Sequence, residues 1–277
     1  MQAADPFPVP MPRPIDVVSP KNPAVHRFRD VAAGEVPGET VVDGNLLVED
    51  ALAAGCELLA AAYSDRLLKA RNGHDLKRRL EQRAEQVYSC SDDVLARMSS
   101  LTTHQGVIAV VRTPRWKPEQ LLGEDASLAL IVAAAGVRDP GNLGAMIRAA
   151  EAAGASGFVA MAGGADPYRD KAVRGSSGSV LRLPLWARTT GDELLPFARE
   201  HGLQLVVADA AAEDDYVDVD WRRATVVVLG NEGAGVPEAL ASAADRAVRI
   251  PICPPVDSLN VAVAAGVLLF EARRQRR

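Results

Sequence analysis

Disulfide bonding, zinc binding and membrane insertion are each disfavoured by what the sequence has little of. Only three cysteines occur in 277 residues, Cys56, Cys90 and Cys253. They are odd in number, far apart and outside any CxxC or nearby histidine pattern, so no disulfide framework or metal site is expected, and all three read as small core residues. No apolar run reaches the roughly 18 residues of a membrane span. The first residues lack a basic segment followed by an apolar one, so no secretory signal is expected and the cytoplasm is the default location. Neither GxxxxGK[ST] nor a GxGxxG with a ribose-binding acid occurs, which disfavours a nucleoside triphosphate or a Rossmann cofactor. The net charge of -5 does not announce a nucleic-acid partner either.

What is present is apolar residues in quantity, 48% of the chain, enough for a core in each of two ordinary domains. Basic and acidic residues balance at 15 each over residues 1–118, against 16 and 21 over 119–277, so the acidity sits in the second half. The densest basic run, KARNGHDLKRRLEQR at 69–83, reads either as a solvated helix face or as phosphate contact. Residues 1–22 are proline-rich without periodicity and read as a flexible tail. A smaller α/β unit is expected over 23–112: a helix from about 23 to 34, the strand TVVDG, then a helix capped by Asn45 and ended by Gly55. ELLAAAY, QVYSC and GVIAVV follow as strands, with helical segments near 65–83 and at DDVLARMSS. Residues 113–126, with two prolines and no apolar period, read as a linker. Over 127–277 the strands SLALIVAAA, GFVAMAG, LRLPLWA, LQLVVAD and ATVVVLG are continuous apolar runs, as in a parallel sheet covered on both faces.

Three loops of this second half carry the chemistry. In DPGNLGAMIRAAEAAG, Pro140 and Gly141 turn the chain, Asn142 is placed to cap the helix, Gly144 allows a close approach, and Arg148 lies early in the helix. In LGNEGAGVPEAL a buried strand ends in Gly230, Asn231, Glu232, Gly233 and Gly235, with Pro237 opening the next helix. In IPICPPVDSLNVAVAAGVLLFE, Ser258 or Asp257 is placed to cap a helix apolar nearly all round, as at a subunit interface. Ligands of parallel sheets gather at the carboxyl ends of strands, where such loops meet. Arg169, Lys171 and Arg174 read as a phosphate-following loop or as a solvated helix, and His104 with Gln105 as a turn.

Taken together, the three loops resemble the motifs of the SpoU-TrmH family of RNA ribose methyltransferases, within the SPOUT superfamily, over residues 119–277. NPAVHRFRDV, VVDGNLLVEDAL and VYSCSDDVLARMSSLTTHQGVIAVV resemble the family's N-terminal substrate-binding domain. The resemblance implies a trefoil-knotted α/β domain with a parallel sheet, preceded by a smaller α/β RNA-binding domain, and a homodimer with no membrane partner. It implies S-adenosylmethionine as cofactor, no metal, and transfer of a methyl group to a ribose 2'-hydroxyl, with 23S ribosomal RNA preferred. Transfer RNA, methylation of a base, or a non-catalytic RNA-binding or ribosome-assembly role are the alternatives. Leu229, Gly230, Ile250 and Leu259 match cofactor-contacting positions; Asn142, Arg148, Glu232, Ser258 and Asn260 match the catalytic or substrate-positioning set. Two departures occur: Ala135 and Gly136 stand where an acid is common, and Pro254 and Pro255 replace small residues in the third motif.

Overall fold

The computed structural model describes residues 14–231 and 233–277. The chain divides between Thr113 and Pro114 into two compact units. The first contains β1 (Ile15–Val17), α1 (Pro23–Ala33), β2 (Glu39–Asp43), α2 (Asn45–Ala53), β3 (Leu58–Tyr63), α3 (Asp65–Leu68), α4 (Gly73–Arg83), β4 (Val87–Cys90), α5 (Asp92–Met98) and β5 (Val107–Arg112). Its sheet runs β1-β4-β3-β5-β2; β1, β4 and β3 are parallel, and β5 is antiparallel to both β3 and β2. Strand β3 is buried along its whole length, as its unbroken apolar run requires. Helix α1 starts where Asn22 accepts the Ala24 N–H at 2.9 Å and stops at Gly34, whose left-handed φ of 70° suits glycine. Its buried face, Val25, Phe28 and Val31, packs with Val41, Leu95, Met98 and Ile108 into one core.

Several local expectations are corrected. Residues 15–17 of the expected tail are a paired edge strand whose Val17 enters the core, while residues 1–13 of that tail lie outside the described residues. Asn45 does not cap α2 but is its first residue: Gly44 turns the chain at a φ of 99°, and the Asn45 N–H is met by Gln105 Oε1 at 2.9 Å. The helical segments expected near 65–83 are α3 and α4, and Gly73 at the start of α4 packs so close that a Cβ there would lie 1.8 Å from the Leu67 carbonyl oxygen. The cysteines are not all core residues: Cys56 and Cys90 are half-buried and Cys253 is exposed. Burial pushes the Cys90 thiol up to about 11, with Asp92 adding to it.

The second unit contains β6 (Leu130–Ala135), α6 (Pro140–Ala153), β7 (Gly157–Met161), α7 (Asp170–Ser176), β8 (Leu185–Thr189), α8 (Gly191–Glu200), β9 (Gln204–Ala208), β10 (Asp214–Asp215), β11 (Thr225–Gly230), α9 (Glu238–Ala241), β12 (Arg246–Arg249) and α10 (Val261–Gln275). All seven strands pair in parallel, in the order β10-β12-β9-β11-β6-β7-β8. The connection from β6 leads towards β7, and that from β11 leads to β12 on the other side. Their carboxyl ends therefore flank the switch point at which open α/β sheets form a crevice. The stretch expected as a linker packs on this sheet: Pro118–Leu122 is a 3-10 helix with Leu121 fully buried against Gly157. Strand β12 escapes the apolar pattern because only Val248 of its four residues is buried.

Beyond α10, the Arg276 guanidinium donates to four main-chain carbonyls. Nε reaches Trp221 at 2.6 Å, Nη2 reaches Arg223 at 2.8 Å and Ala129 at 3.3 Å, and Nη1 reaches Leu128. Its burial among these dipoles pushes its pKa below the ordinary arginine value.

Candidate active site

The loop after β6 sets the first wall. Asp139, not Asn142, caps α6: its Oδ1 accepts the Asn142 N–H at 2.8 Å, and Pro140 fills the first helical position, where no N–H is needed. Lys171 Nζ donates to Asp139 Oδ2 at 2.7 Å. That bond, and after it the Asn142 N–H, holds the Asp139 carboxyl below its usual range. Spared from capping, the Asn142 side chain accepts from Asn260 Nδ2 through its Oδ1 at 3.0 Å. Gly144 is needed for backbone packing, since a Cβ there would lie 2.4 Å from the Ala172 carbonyl oxygen.

The opposite wall is the start of α10. Its cap is Asn260, whose Oδ1 accepts the Ala262 and Val263 N–H groups at 3.0 and 3.3 Å. Ser258 and Asp257, expected as the cap, lie too far ahead of a helix that begins at Val261. One amide thus serves two purposes, capping α10 through its oxygen and tying α10 to α6 through its nitrogen.

Between the carboxyl ends of β9, β11 and β12 lies a cavity of about 430 Å³. Val207, Ala208, Leu229, Gly230, Val248 and Arg249 line its strand side; Ile250, Ser258, Leu259 and Val261 close the other. Asp209, Asn231 and Glu238 supply polar groups to its lining. The loop after β11 is held by Asn231, whose Nδ2 donates to the Gly136 carbonyl at 2.9 Å and whose Oδ1 accepts the Gly233 N–H at 2.8 Å. Main-chain bonds between Asn231 and Gly235, 2.8 and 3.1 Å, close the loop so tightly that a Cβ on Gly230 would lie 2.2 Å from the Gly235 carbonyl carbon. The approach to α10 includes a cis Pro254–Pro255 bond.

The sequence-predicted residues are thus gathered in two groups. Leu229, Gly230, Ile250, Ser258 and Leu259 share the cavity lining, and Asn142 meets Asn260 beside it. Arg148 stands apart on α6, exposed and without an ion pair among the described residues. Glu232 lies outside the described residues. The basic loop divides: Lys171 is bound to Asp139 and Arg174 to Asp170, while Arg169 is exposed with no acid partner among the described residues. His104 and Gln105 form a turn, with His104 Nδ1 accepting the Gly106 N–H at 3.2 Å. Among the described residues no group of His, Cys, Asp or Glu is placed to hold a metal ion, and no helix is long and apolar enough to cross a membrane. Asp139 and Asn231 carry no role in the sequence reading, and Lys171, expected at a phosphate or in solvent, instead braces the cap of α6. The Asp-Pro pair was a legible helix-start signal for Asp139, whereas nothing in the sequence marks a bond from Asn231 to Gly136.

Comparison with known proteins returns consistent matches. Residues 129–270 match the model of the SpoU rRNA Methylase family, and residues 43–117 match that of RNA 2'-O ribose methyltransferase substrate binding. An uncharacterized tRNA/rRNA methyltransferase of Synechocystis is 33% identical over 264 residues, covering 94% of each chain. The crystal structure of an AdoMet-bound rRNA methyltransferase from Sinorhizobium meliloti superposes with a TM-score of 0.83 at 32% identity, over 94% of this chain and 97% of that one. That of an RNA 2'-O ribose methyltransferase gives 0.78 at 33% identity, over 95% and 99%.

Proposed function

The chain belongs to the SpoU rRNA methylase family, and on that premise we propose that it transfers the methyl group of S-adenosylmethionine to a ribose 2'-hydroxyl of 23S ribosomal RNA. The observation that carries this reading is the cavity at the carboxyl ends of β9, β11 and β12, walled by Leu229, Gly230, Ile250 and Leu259 and adjoined by the Asn142–Asn260 bridge. Its volume is within the range of about 300–1,000 Å³ usual for small-ligand sites. Its lining suits an adenosine bearing a cation: apolar walls, main-chain groups exposed by glycine, and the acids Asp209 and Glu238. S-adenosylmethionine, when bound, supplies an activated methyl group on a sulfonium, so the chain must position the acceptor and ease its deprotonation. Leu229, Gly230, Ile250 and Leu259 hold the cofactor in this reading, and Asn142, Ser258 and Asn260 orient the ribose. Arg148 clamps the adjacent phosphate and stabilises the developing alkoxide; a guanidinium stays protonated in proteins and is poorly suited to act as a base. Glu232 joins the set on family resemblance alone.

The first unit, residues 23–112 of the expected domain, holds the RNA, and the second, 127–277, performs the transfer. The passage of Ile250–Asn260 against the loops after β9 and β11 is in keeping with a trefoil knot, and the exposed Val263 and Phe270 of α10, 54% and 51% accessible, suit a homodimer interface. A cytoplasmic location follows from the substrate. The test is transfer of labelled methyl groups to 23S ribosomal RNA and to transfer RNA, with mapping of alkali-resistant linkages. One resistant linkage in 23S RNA is the expected result. Label on a base or on transfer RNA overturns the finer assignment, and calorimetry without S-adenosylmethionine uptake overturns catalysis altogether.

A further inference from the structure

Around the loops that follow β6 and β7, the second unit brings three segments of chain together, each exposing one arginine. Tyr168 Oη donates to the Pro114 carbonyl at 3.3 Å, which sets residues 114–115 beside 168–169. The Ala165 N–H donates to the Val137 carbonyl at 2.8 Å, which sets 137–138 beside 165–166. Arg115, Arg138 and Arg169 are all exposed, and among the described residues none has an acid partner. The acids of these segments are engaged elsewhere: Asp139 by Lys171 and the Asn142 N–H, Asp170 by Arg174, and Asp166 by the Tyr168 N–H at 3.0 Å. Arg182, Arg222, Arg246, Arg249 and Arg274 of the same unit each have a carboxylate within 2.9 Å; Arg148, Arg188, Arg199 and Arg223 have none among the described residues, but they lie on other segments.

A continuous run of contacts joins this corner to the cavity. Lys171 holds Asp139, Asp139 caps α6 at Asn142, and Asn142 meets Asn260, the neighbour of the cavity-lining Leu259. Unpaired guanidiniums grouped on an exposed surface, with the nearby Asp139 and Asp170 already paired to Lys171 and Arg174, offer the planar donor forks that match phosphate oxygens. Resting on the RNA reading above, we propose that Arg115, Arg138 and Arg169 form a phosphate-binding strip which grips the RNA strand flanking the target nucleotide and aims it at the cavity. Lys171 and Arg174, although in the same basic loop, are not part of it, because their charges are already committed to Asp139 and Asp170. The strip positions RNA and takes no part in the transfer itself.

The test compares the wild-type protein, the triple variant Arg115→Ala, Arg138→Ala, Arg169→Ala, and Arg174→Ala, using deproteinised 23S ribosomal RNA as the probe. Each lost phosphate contact should lower the slope of log affinity against log salt by roughly 0.7–0.9. The triple variant is expected to lose about two units of slope and to raise the KM for RNA at least about tenfold, with unchanged S-adenosylmethionine affinity and an unchanged melting temperature. Arg174→Ala should keep the wild-type slope. A wild-type slope and KM in the triple variant, or an equal slope loss in Arg174→Ala, overturns the strip. Wild-type protein that methylates no RNA overturns the underlying reading instead, and slope loss in the triple variant then still supports the strip as an RNA contact.

Discussion

Both units crowd polar loops at one end of a sheet, yet the two ends are built to different purposes. In the first unit the carboxyl ends of β2, β3 and β4 carry Asp43, Ser64 and Asp92, and these satisfy their neighbours. Ser99 donates to Asp43 at 2.5 Å, Ser64 to Asp92 at 2.5 Å, and Arg66 pairs with Asp92 at 3.5 Å. In the second unit, side chains at the carboxyl ends cap helices and brace loops, and a cavity remains between them. A group of serine, aspartate and arginine is therefore no sign of a site by itself. What distinguishes the second end is that a cavity of about 430 Å³ remains among its loops.

The sharpest way to break this comparison is Arg148→Ala. Loss of a charge-stabilising group should slow methyl transfer by about a hundredfold or more while S-adenosylmethionine affinity is unchanged, read by single-turnover kinetics and calorimetry. Ser64→Ala in the first unit should leave that step alone; an equal loss there, or near-normal turnover without Arg148, sinks the distinction. A smaller effect is expected from Gly230→Ala. The added Cβ meets Gly235 at 2.2 Å and must displace the loop. Overpacking costs of about 1–3 kcal/mol, if felt in full at the cavity, correspond to weakening of cofactor binding by roughly five- to 150-fold. Gly44→Ala, strained at its φ of 99° in the first unit, should lower the melting temperature and leave cofactor affinity intact.

The smallest effect concerns acid. Hydrogen bonds lower the pKa of Asp92 in the first unit, chiefly from Ser64, and of Asp139 and Glu151 in the second, chiefly from Lys171 and Arg182. A carboxyl depressed on folding contributes stability that is fully present above its unfolded value of about 4 and is lost as pH falls through the lower folded value. Melting temperatures should therefore be flat from neutrality to about pH 5 and fall below about 4. Asp139→Asn and Asp92→Asn should each flatten part of that decline; an unaltered acid limb in both contradicts the assignment.

The strands of the second unit were legible because β6, β9 and β11 are buried on both faces and leave unbroken apolar runs. Caps were less legible. Asn45, Asn142 and Ser258 are all residues that cap well, but the choice depends on where the helix starts, which Gly44, Pro140 and the stretch before Val261 decide. The cavity residues could be gathered through the ends of apolar strands and the family pattern. The meeting of Asn142 with Asn260, 118 positions apart, depends on the packing of α10 against α6 and has no local signature. The division of the basic loop was equally hidden, since Lys171 and Arg169 differ only in which of them reaches an acid.

Arg276 has a consequence for how the cavity can admit anything. Helix α10, 15 residues and so about 22 Å long, is bolted at its far end to the chain leading into β6 and β11, and at its near end to α6. A rod pinned at both ends cannot swing like a door. Whatever enters the cavity therefore meets a fixed wall at Val261 and Ala264 of this helix.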